Sequence, residues 1–171
     1  MKQRVRFFFA NFEEIICVVL LISIYLILLT HVILRYLFGR PIAWSEEVSR
    51  YFFVWGTFLG ASVALKRRAH VSVEYFVSFL PVKWRAYLKL GIDLAVFVFL
   101  ILVGRLGVEL ALKTYTIETA ALGWPWTYVY GALPVGSFFM LITLSRFIWQ
   151  DIGKIRQGRY EQLSSIPDGL I

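Results

Sequence analysis

The side chains of this sequence that could do acid–base, nucleophilic or metal chemistry are few and poorly arranged for it. The two histidines, His31 and His70, lie toward opposite ends of the apolar segments that flank them, so one haem could not bridge them. Glu46 and Glu47 are adjacent, which on a helix turns them about 100° apart, a poor geometry for paired catalysis. The single cysteine, Cys17, lies inside an apolar run, where a packing role is typical. We therefore predict no catalytic residue, no cofactor and no bound metal.

The polar block around these glutamates is better explained as a structural junction. It contains Trp44, Ser45, Glu46, Glu47 and Arg50, between two apolar segments. Ser45 is a suitable helix N-cap, and carboxylates in a first turn favour the positive end of the helix dipole. Glu46 and Arg50 have the i, i+4 spacing of an ion pair. We predict that a helix begins near Ser45 and that this block orients it against the preceding helix.

Four apolar stretches predict an all-α integral membrane protein. Residues 15–34 form 20 positions without a formal charge, which at about 1.5 Å per residue can cross a hydrocarbon layer of about 30 Å. Hydrophobic residues make up 59% of the chain and charged residues 17%, against about 25% charged in soluble domains. The predicted transmembrane helices cover about 12–37, 45–67, 83–115 and 126–150, with a kink at Pro134 in the last.

Two further segments complete the predicted organisation. Within 71–80 the apolar residues follow an i, i+3, i+4, i+7 pattern, which predicts a short amphipathic helix lying on the membrane surface. Residues 151–171 are polar and are predicted to form a cytoplasmic tail that is mostly disordered. Residues 1–150 would then be a single four-helix membrane domain.

The distribution of basic residues predicts the orientation in the membrane. Of the 18 lysines and arginines, thirteen fall on the side of the two termini, four on the other side, and Arg105 within the membrane. Cytoplasmic segments carry the excess of basic residues, so both termini are predicted to be cytoplasmic. The net charge of +7 does not predict nucleic-acid binding, because these residues lie at helix ends and in short connections.

Two features inside the membrane segments could carry contacts. Gly56, Gly60 and Ala64 repeat every four residues, a spacing that lets another helix approach closely. The neighbour could belong to this chain or to a partner, and the pattern does not choose between them. The third segment carries Asp93, Arg105 and Glu109, of which the last two are spaced as an anchoring ion pair. These three residues are spread too widely along the helix to form a relay.

Two signature regions then resemble one family, the DctQ-like small membrane subunit of tripartite ATP-independent periplasmic (TRAP) transporters. The first region is Arg35-Tyr36, Pro41, Trp44-Ser45-Glu46-Glu47, Arg50, Thr57-Phe58-x-Gly60-Ala61 and His70. The second is Pro125-Trp126-x-Tyr128-x-Tyr130-x-Ala132-Leu133-Pro134-Val135-Gly136. Together they extend the resemblance over about residues 12–150.

The resemblance implies a role in secondary active uptake across the bacterial inner membrane. In such systems a soluble periplasmic protein delivers an organic acid, such as a C4-dicarboxylate or sialic acid, to two membrane subunits. The large subunit carries the substrate and sodium sites, and the small one is similar to a fixed scaffold. The implied partners are the large subunit, the binding protein and membrane lipids.

The outward-facing basic residues Arg35, Arg40 and Lys113 are candidates for docking the binding protein through complementary charge. Contact with anionic lipid headgroups is the alternative for the same residues. From another functional class, the chain could be a self-associating small channel or other accessory membrane protein, with Gly56 and Gly60 on the homomeric seam.

Overall fold

The computed structural model describes residues 12–67 and 81–157, which are helical apart from their connections and one isolated bridge between Glu118 and Pro125. The helices are α1 (Phe12–Leu37), α2 (Ala43–Lys66), α3 (Val82–Lys113), α4 (Thr127–Tyr130) and α5 (Ala132–Arg156). Four spans are long and apolar enough to cross a membrane, with α4 and α5 together forming the last. The predicted all-α membrane fold is confirmed, whereas the surface helix expected over 71–80 lies outside the described residues.

The long helices form a row. α1 packs on α2, α2 packs on α5, and α5 packs on α3. The two central spans bury 28% and 33% of their most apolar windows, whereas the helices at the two ends of the row, α1 and α3, bury 6% and 11%. Because these open faces are apolar, they are suited to lipid or to another membrane protein.

Close packing in the row depends on glycines of α3 and α5. A methyl group placed on Gly136 would lie 2.6 Å from Cβ of Phe58 in α2, and one on Gly107 would lie 2.7 Å from Cβ of Leu133. Small residues at such points allow helix backbones to approach. They bring α5 between α2 and α3, around a hydrophobic core whose buried members are Leu65, Leu100, Met140 and Leu144.

The last span differs from its prediction. The short helix α4 ends at Tyr130, and Pro134 lies in the first turn of α5, where its missing N–H leaves the carbonyl oxygen of Tyr130 without an i+4 donor. The interruption of the helix at Gly131 lies three residues before Pro134, the residue at which the kink is predicted. α5 also continues to Arg156, so residues 151–156 are not part of a disordered tail. Asp151 is buried there, with Oδ2 3.5 Å from Nζ of Lys89.

The helices of the row run between two opposite surfaces of the bundle, which we call the motif end and the terminal end. The motif end carries the α1–α2 connection (38–42) and the α3–α4 connection (114–126). The terminal end carries Phe12, Arg67, Pro81 and Gln157, the limits of the described ranges. At the terminal end, Nζ of Lys66 lies 2.8 Å from Oε1 of Glu13, and Arg67 pairs with Glu14, so α1 and α2 are tied together by charge.

Candidate interaction site at the motif end

The first turn of α2 contains Ser45 in a role that the sequence did not predict. The helix begins at Ala43 and its N-cap is Ile42, with no side-chain cap hydrogen bond, so the prediction that Ser45 is the N-cap is wrong. Ser45 is instead fully buried, and its hydroxyl donates to the carbonyl oxygen of Ile42 at 2.7 Å. The hydroxyl oxygen of Ser45 also lies 2.6 Å from Nδ1 of His31 in α1. Ser45 thus joins the end of α1 to the start of α2.

Glu47 reaches across to the other connection. Its Oε1 accepts a hydrogen bond from the backbone N–H of Ala121, and its Oε2 accepts one from Leu122, both at 2.9 Å. A carboxylate that accepts two backbone N–H groups makes charge-assisted hydrogen bonds, which are stronger than neutral ones. Glu47 therefore fixes the position of the α3–α4 connection relative to α2.

The connection that Glu47 contacts has an ordered conformation fixed by its own main-chain hydrogen bonds. Within it the N–H of Thr119 donates to the carbonyl oxygen of Trp124 at 2.9 Å, and the N–H of Trp126 donates to that of Ile117 at 3.0 Å. Gly123 has a φ of +67°, in the left-handed region that glycine tolerates best. We call residues 117–126 the clamped loop. Its main-chain bonds hold the loop in one shape, which Glu47 then docks on α2.

Aromatic side chains of α2 support the same loop. The Tyr51 ring meets Trp124 edge to face, with centroids 6.2 Å apart. One turn further along α2, Nε1 of Trp55 donates to the carbonyl oxygen of Tyr128 at 2.9 Å. Such aromatic groups at a membrane boundary combine an apolar ring with a polar partner. The motif end is therefore organised by α2, which contacts both connections.

The ion pair expected between Glu46 and Arg50 is not among the ion pairs of the described residues. The guanidinium of Arg50 lies 5.9 Å from the ring centroid of Trp126, a cation–π distance, and Glu46 is exposed. Trp44 is exposed as well. Of the five predicted junction residues, the structure gives cross-element contacts to Ser45, Glu47 and Arg50.

The ion pair expected within α3 also has a different partner. Oε1 of Glu109 lies 2.7 Å from Nζ of Lys113, one turn onward, and this replaces the predicted pair of Glu109 with Arg105. Arg105 is exposed and Asp93 is half-buried. The predicted interpretation as an anchoring pair thus applies to Glu109 and Lys113.

The three candidate docking residues do not form one patch. Arg35 and Arg40 are exposed beside the α1–α2 connection, with Arg35 5.9 Å from the Tyr36 ring centroid. Lys113 is exposed at the end of α3, and α3 lies at the other end of the row. Any surface that uses all three must extend across α2 and the clamped loop.

The small-residue repeat of α2 is open within the described chain. A methyl group placed on Gly56 or Gly60 would meet no atom within 4 Å, and Ala64 is exposed. Gly56 nevertheless contacts α1 of the same subunit, where Sγ of Cys17 lies 3.9 Å from its carbonyl oxygen, so packing within the subunit stays an alternative. A seam with a partner stays a prediction for Gly56, Gly60 and Ala64.

An apolar groove of about 400 Å³ lies over α2, between α1 and α5. Its wall includes Leu20, Phe52, Trp55, Leu59 and Phe139, and its only acidic lining residue is Glu13 at the terminal end. Sites for small polar ligands combine an apolar cavity with convergent polar groups. This groove lacks them, and no metal-binding cluster of His, Cys, Asp or Glu occurs within the described ranges.

The sequence identified Ser45 and Glu47 as junction residues, but it did not predict which groups they contact. The sequence suggests for His31 only the role of a haem ligand, and the donors on the clamped loop are backbone N–H groups that almost any residue type supplies. The glycine of the loop, Gly123, was the one available signal of a tight turn there. The contacts themselves join residues 14 to 75 positions apart, beyond the reach of local pattern.

Four apolar spans, a row of helices with open apolar faces and a clamped loop without a polar cavity define a multi-pass membrane subunit. The description "Tripartite ATP-independent periplasmic transporters, DctQ component" matches residues 24–154, so the chain belongs to this family of small transporter permease subunits. The resemblance seen in the sequence is confirmed. The family consists of permease subunits of transporters and not of enzymes.

Three relatives illustrate the range of the family. The chain is 34% identical over 131 residues to the sialic acid TRAP transporter small permease protein SiaQ of Vibrio cholerae, covering 77% of this chain and 76% of that protein. It is 32% identical over 83 residues to the C4-dicarboxylate TRAP transporter small permease protein DctQ of Vibrio cholerae, covering 48% and 36%. It is 29% identical over 147 residues to the sialic acid TRAP transporter permease protein SiaT of Haemophilus influenzae, covering 86% of this chain and 23% of that protein.

Proposed function

We propose that this small TRAP permease subunit is the fixed scaffold of a sodium-coupled, binding-protein-dependent transporter that takes up an organic acid. The observation that carries the proposal is the pairing of open apolar faces with an apolar groove. An anionic substrate would need convergent donors, which the described spans do not assemble. Extensive open faces suit a subunit that works against a larger membrane partner.

The partner we propose is a large TRAP membrane subunit that carries the substrate and ion sites. This chain matches 23% of SiaT, which is named a permease protein and not a small permease protein, and this supports an association of the small part with a larger one. Relatives are named for sialic acid and for C4-dicarboxylates. Both are organic acids, and the proposal for this chain is made at that level.

The orientation we propose places the terminal end in the cytoplasm of a bacterial inner membrane. Seven basic residues whose side chains the structure describes lie toward that end: Lys66, Arg67, Arg85, Lys89, Arg146, Lys154 and Arg156. Arg35, Arg40, Arg50 and Lys113 lie toward the motif end. The asymmetry supports an inward terminal end, and it leaves the clamped loop facing the periplasm.

Facing the periplasm, the motif end is a candidate docking surface for the substrate-binding protein. The clamped loop and the α1–α2 connection are held by Glu47 and Ser45, so the surface is pre-organised. Pre-organised surfaces lose less conformational entropy on binding. Headgroup contact remains the competing use of Arg35, Arg40 and Lys113.

Transport by reconstituted components tests the proposal. Proteoliposomes would contain the large subunit with or without this chain, the binding protein outside and a radiolabelled organic acid such as sialic acid or succinate. We expect uptake only when both membrane subunits are present, and we expect it to fall when sodium is replaced by potassium. Equal uptake without this chain would overturn the scaffold role, and uptake by this chain alone would favour an independent channel.

A further inference from the structure

α3 has two sides with different surroundings. Ala86, Leu100 and Ala111 are buried on the side that faces α5, where Gly104 approaches Cβ of Ser137. At about 100° per residue, Arg105 falls away from that side. We call the exposed surface formed by Val98, Leu102, Arg105 and Glu109 the outward side of α3. Val98 and Leu102 are about half exposed there, so Arg105 has apolar side chains on one side along the helix and Glu109 on the other.

Arg105 lies eight residues before the end of α3, within a span that is long and apolar enough to cross a membrane. Oγ1 of Thr127 donates to the carbonyl oxygen of Ala111 at 2.7 Å, which places Ala111 level with the aromatic residues Trp126 and Tyr128. Aromatic residues of this kind mark the membrane interface. Arg105 precedes Ala111 by six residues, so its backbone lies about 9 Å closer to the membrane centre.

No acidic group of the described residues neutralises Arg105. The nearest carboxylate along its own helix, Glu109, is engaged by Lys113 at 2.7 Å. Charged side chains inside membrane spans are rare and pair with other groups or face a protein interior. The guanidinium of Arg105 is therefore expected to need a carboxylate partner from outside the described part of this subunit.

Arg146 provides a comparison from the same chain. It is also an exposed arginine of a spanning helix, but it lies three residues from Trp149, which is 82% exposed at the terminal end. One turn from such an interfacial marker, its side chain can extend to the headgroups. Arg105 is nearly two turns from its own marker, and Lys113 already occupies the headgroup level on that side.

We infer that the outward side of α3 is the surface that contacts the large membrane subunit, and that a carboxylate of that subunit pairs with Arg105. The inference rests on the proposed function, because it takes the large subunit as the occupant. A guanidinium fork suits bidentate pairing with a carboxylate. The apolar residues Val98 and Leu102 then pack against the partner next to the pair.

Photo-crosslinking locates the contact without altering the charge. The full chain, co-expressed with the large subunit, would carry p-benzoylphenylalanine in place of Leu102, or in place of Tyr25 on α1 as the exposed control. We expect a crosslink to the large subunit from position 102 and none from position 25. A crosslink from position 25 alone would place the partner on α1 and overturn the inference while leaving the proposed function intact.

Charge substitution tests the pair itself by co-purification in mild detergent. Arg105→Glu should lower the recovered large subunit about tenfold, since opposed like charges in an interface are costly. Arg105→Lys should retain most of it, and the matched control Arg146→Glu should recover wild-type amounts. Normal recovery with Arg105→Glu would assign Arg105 to lipid headgroups, and equal losses in Arg105→Glu and Arg146→Glu would show a general membrane effect. Either result overturns the inference.

The same experiments distinguish a failure of the proposed function from a failure of the α3 assignment. If the wild-type chain recovers no large subunit, the proposed function itself fails. If the wild type recovers it and the position-102 crosslink is absent, only the assignment of α3 fails. When the crosslinked residue of the partner is identified, reversing a neighbouring Asp or Glu to Arg should restore recovery with Arg105→Glu.

Discussion

The hydroxyl of Ser62 donates a hydrogen bond of 2.8 Å to Oε2 of Glu13, although the two residues are 49 positions apart. Both side chains are buried, and the second oxygen of Glu13 accepts from Nζ of Lys66 at 2.8 Å. Each oxygen of this carboxylate therefore has a donor on α2. A carboxylate is stable in such surroundings only when it is hydrogen-bonded or paired, so this contact fixes the start of α1 against the end of α2.

Removing the hydroxyl should destabilise this end of the protein. Ser62→Ala leaves Oε2 of Glu13 without its donor, and an unsatisfied buried group costs about 1–3 kcal/mol. We expect a lower midpoint of thermal unfolding in detergent. The control is Ser23→Ala, since the Ser23 hydroxyl bonds only to its own helix, at the carbonyl oxygen of Val19. Equal effects of the two substitutions would contradict the importance of the Glu13 contact.

Removing the Glu47 carboxylate should release the clamped loop. Glu47→Ala deletes both acceptors of the N–H groups of Ala121 and Leu122. A spin label on a cysteine at Ala120, in a Cys17→Ser background, should become more mobile. Complex yield or transport should fall, and the affinity of the binding protein for substrate should not change. Glu46→Ala, at an exposed position beside it, is the matched control; a shift in substrate selectivity with Glu47→Ala would contradict the scaffold role.

The two kinds of glycine should respond differently to an added methyl group. Gly136→Ala would place a methyl 2.6 Å from Cβ of Phe58 and should destabilise the subunit by about 1–3 kcal/mol. Gly56→Ala meets no atom within 4 Å and should leave the unfolding midpoint of the isolated subunit unchanged or slightly raised. Thermal unfolding of both variants measures the difference. A loss of stability in Gly56→Ala equal to that of Gly136→Ala would contradict the open seam.

The orientation is tested with single cysteines in intact cells. Cysteines at Gln3 and Tyr160 should be protected from a membrane-impermeant thiol reagent, and one at Ala120 should be labelled, because the basic residues favour a cytoplasmic terminal end. The background is Cys17→Ser. Labelling at either terminal position would contradict the proposed topology, and permeabilised cells provide the positive control for all three positions.

The docking role of the motif end is tested by reversing one charge. Arg40→Glu should slow transport at low concentrations of binding protein, and more strongly at low salt, where charges are screened over longer distances. Excess binding protein should partly restore the rate. Transport that is unchanged at every concentration of binding protein would assign Arg40 to contact with lipid headgroups.

The sequence by itself determined the four spans, because the length of an apolar run is a local property that can be compared directly with the thickness of the bilayer. It also determined the family, since the blocks from Trp44 to Glu47 and from Pro125 to Gly136 carried the resemblance, and the family description matches residues 24–154. The polar junction from Trp44 to Arg50 could also be located from the sequence, because its charged residues stand between two apolar segments. These features require no knowledge of which helix lies beside which.

Only the tertiary structure decided what the junction residues contact. Glu47 binds backbone N–H groups of the clamped loop, and backbone groups leave no trace in residue type. Ser45 lies in the first turn of α2, because the helix starts at Ala43, and its hydroxyl meets His31 of α1. The order of helices in the row decided which faces stay open, and that order depends on contacts such as Gly136 with Phe58, 78 residues apart, which no local pattern encodes.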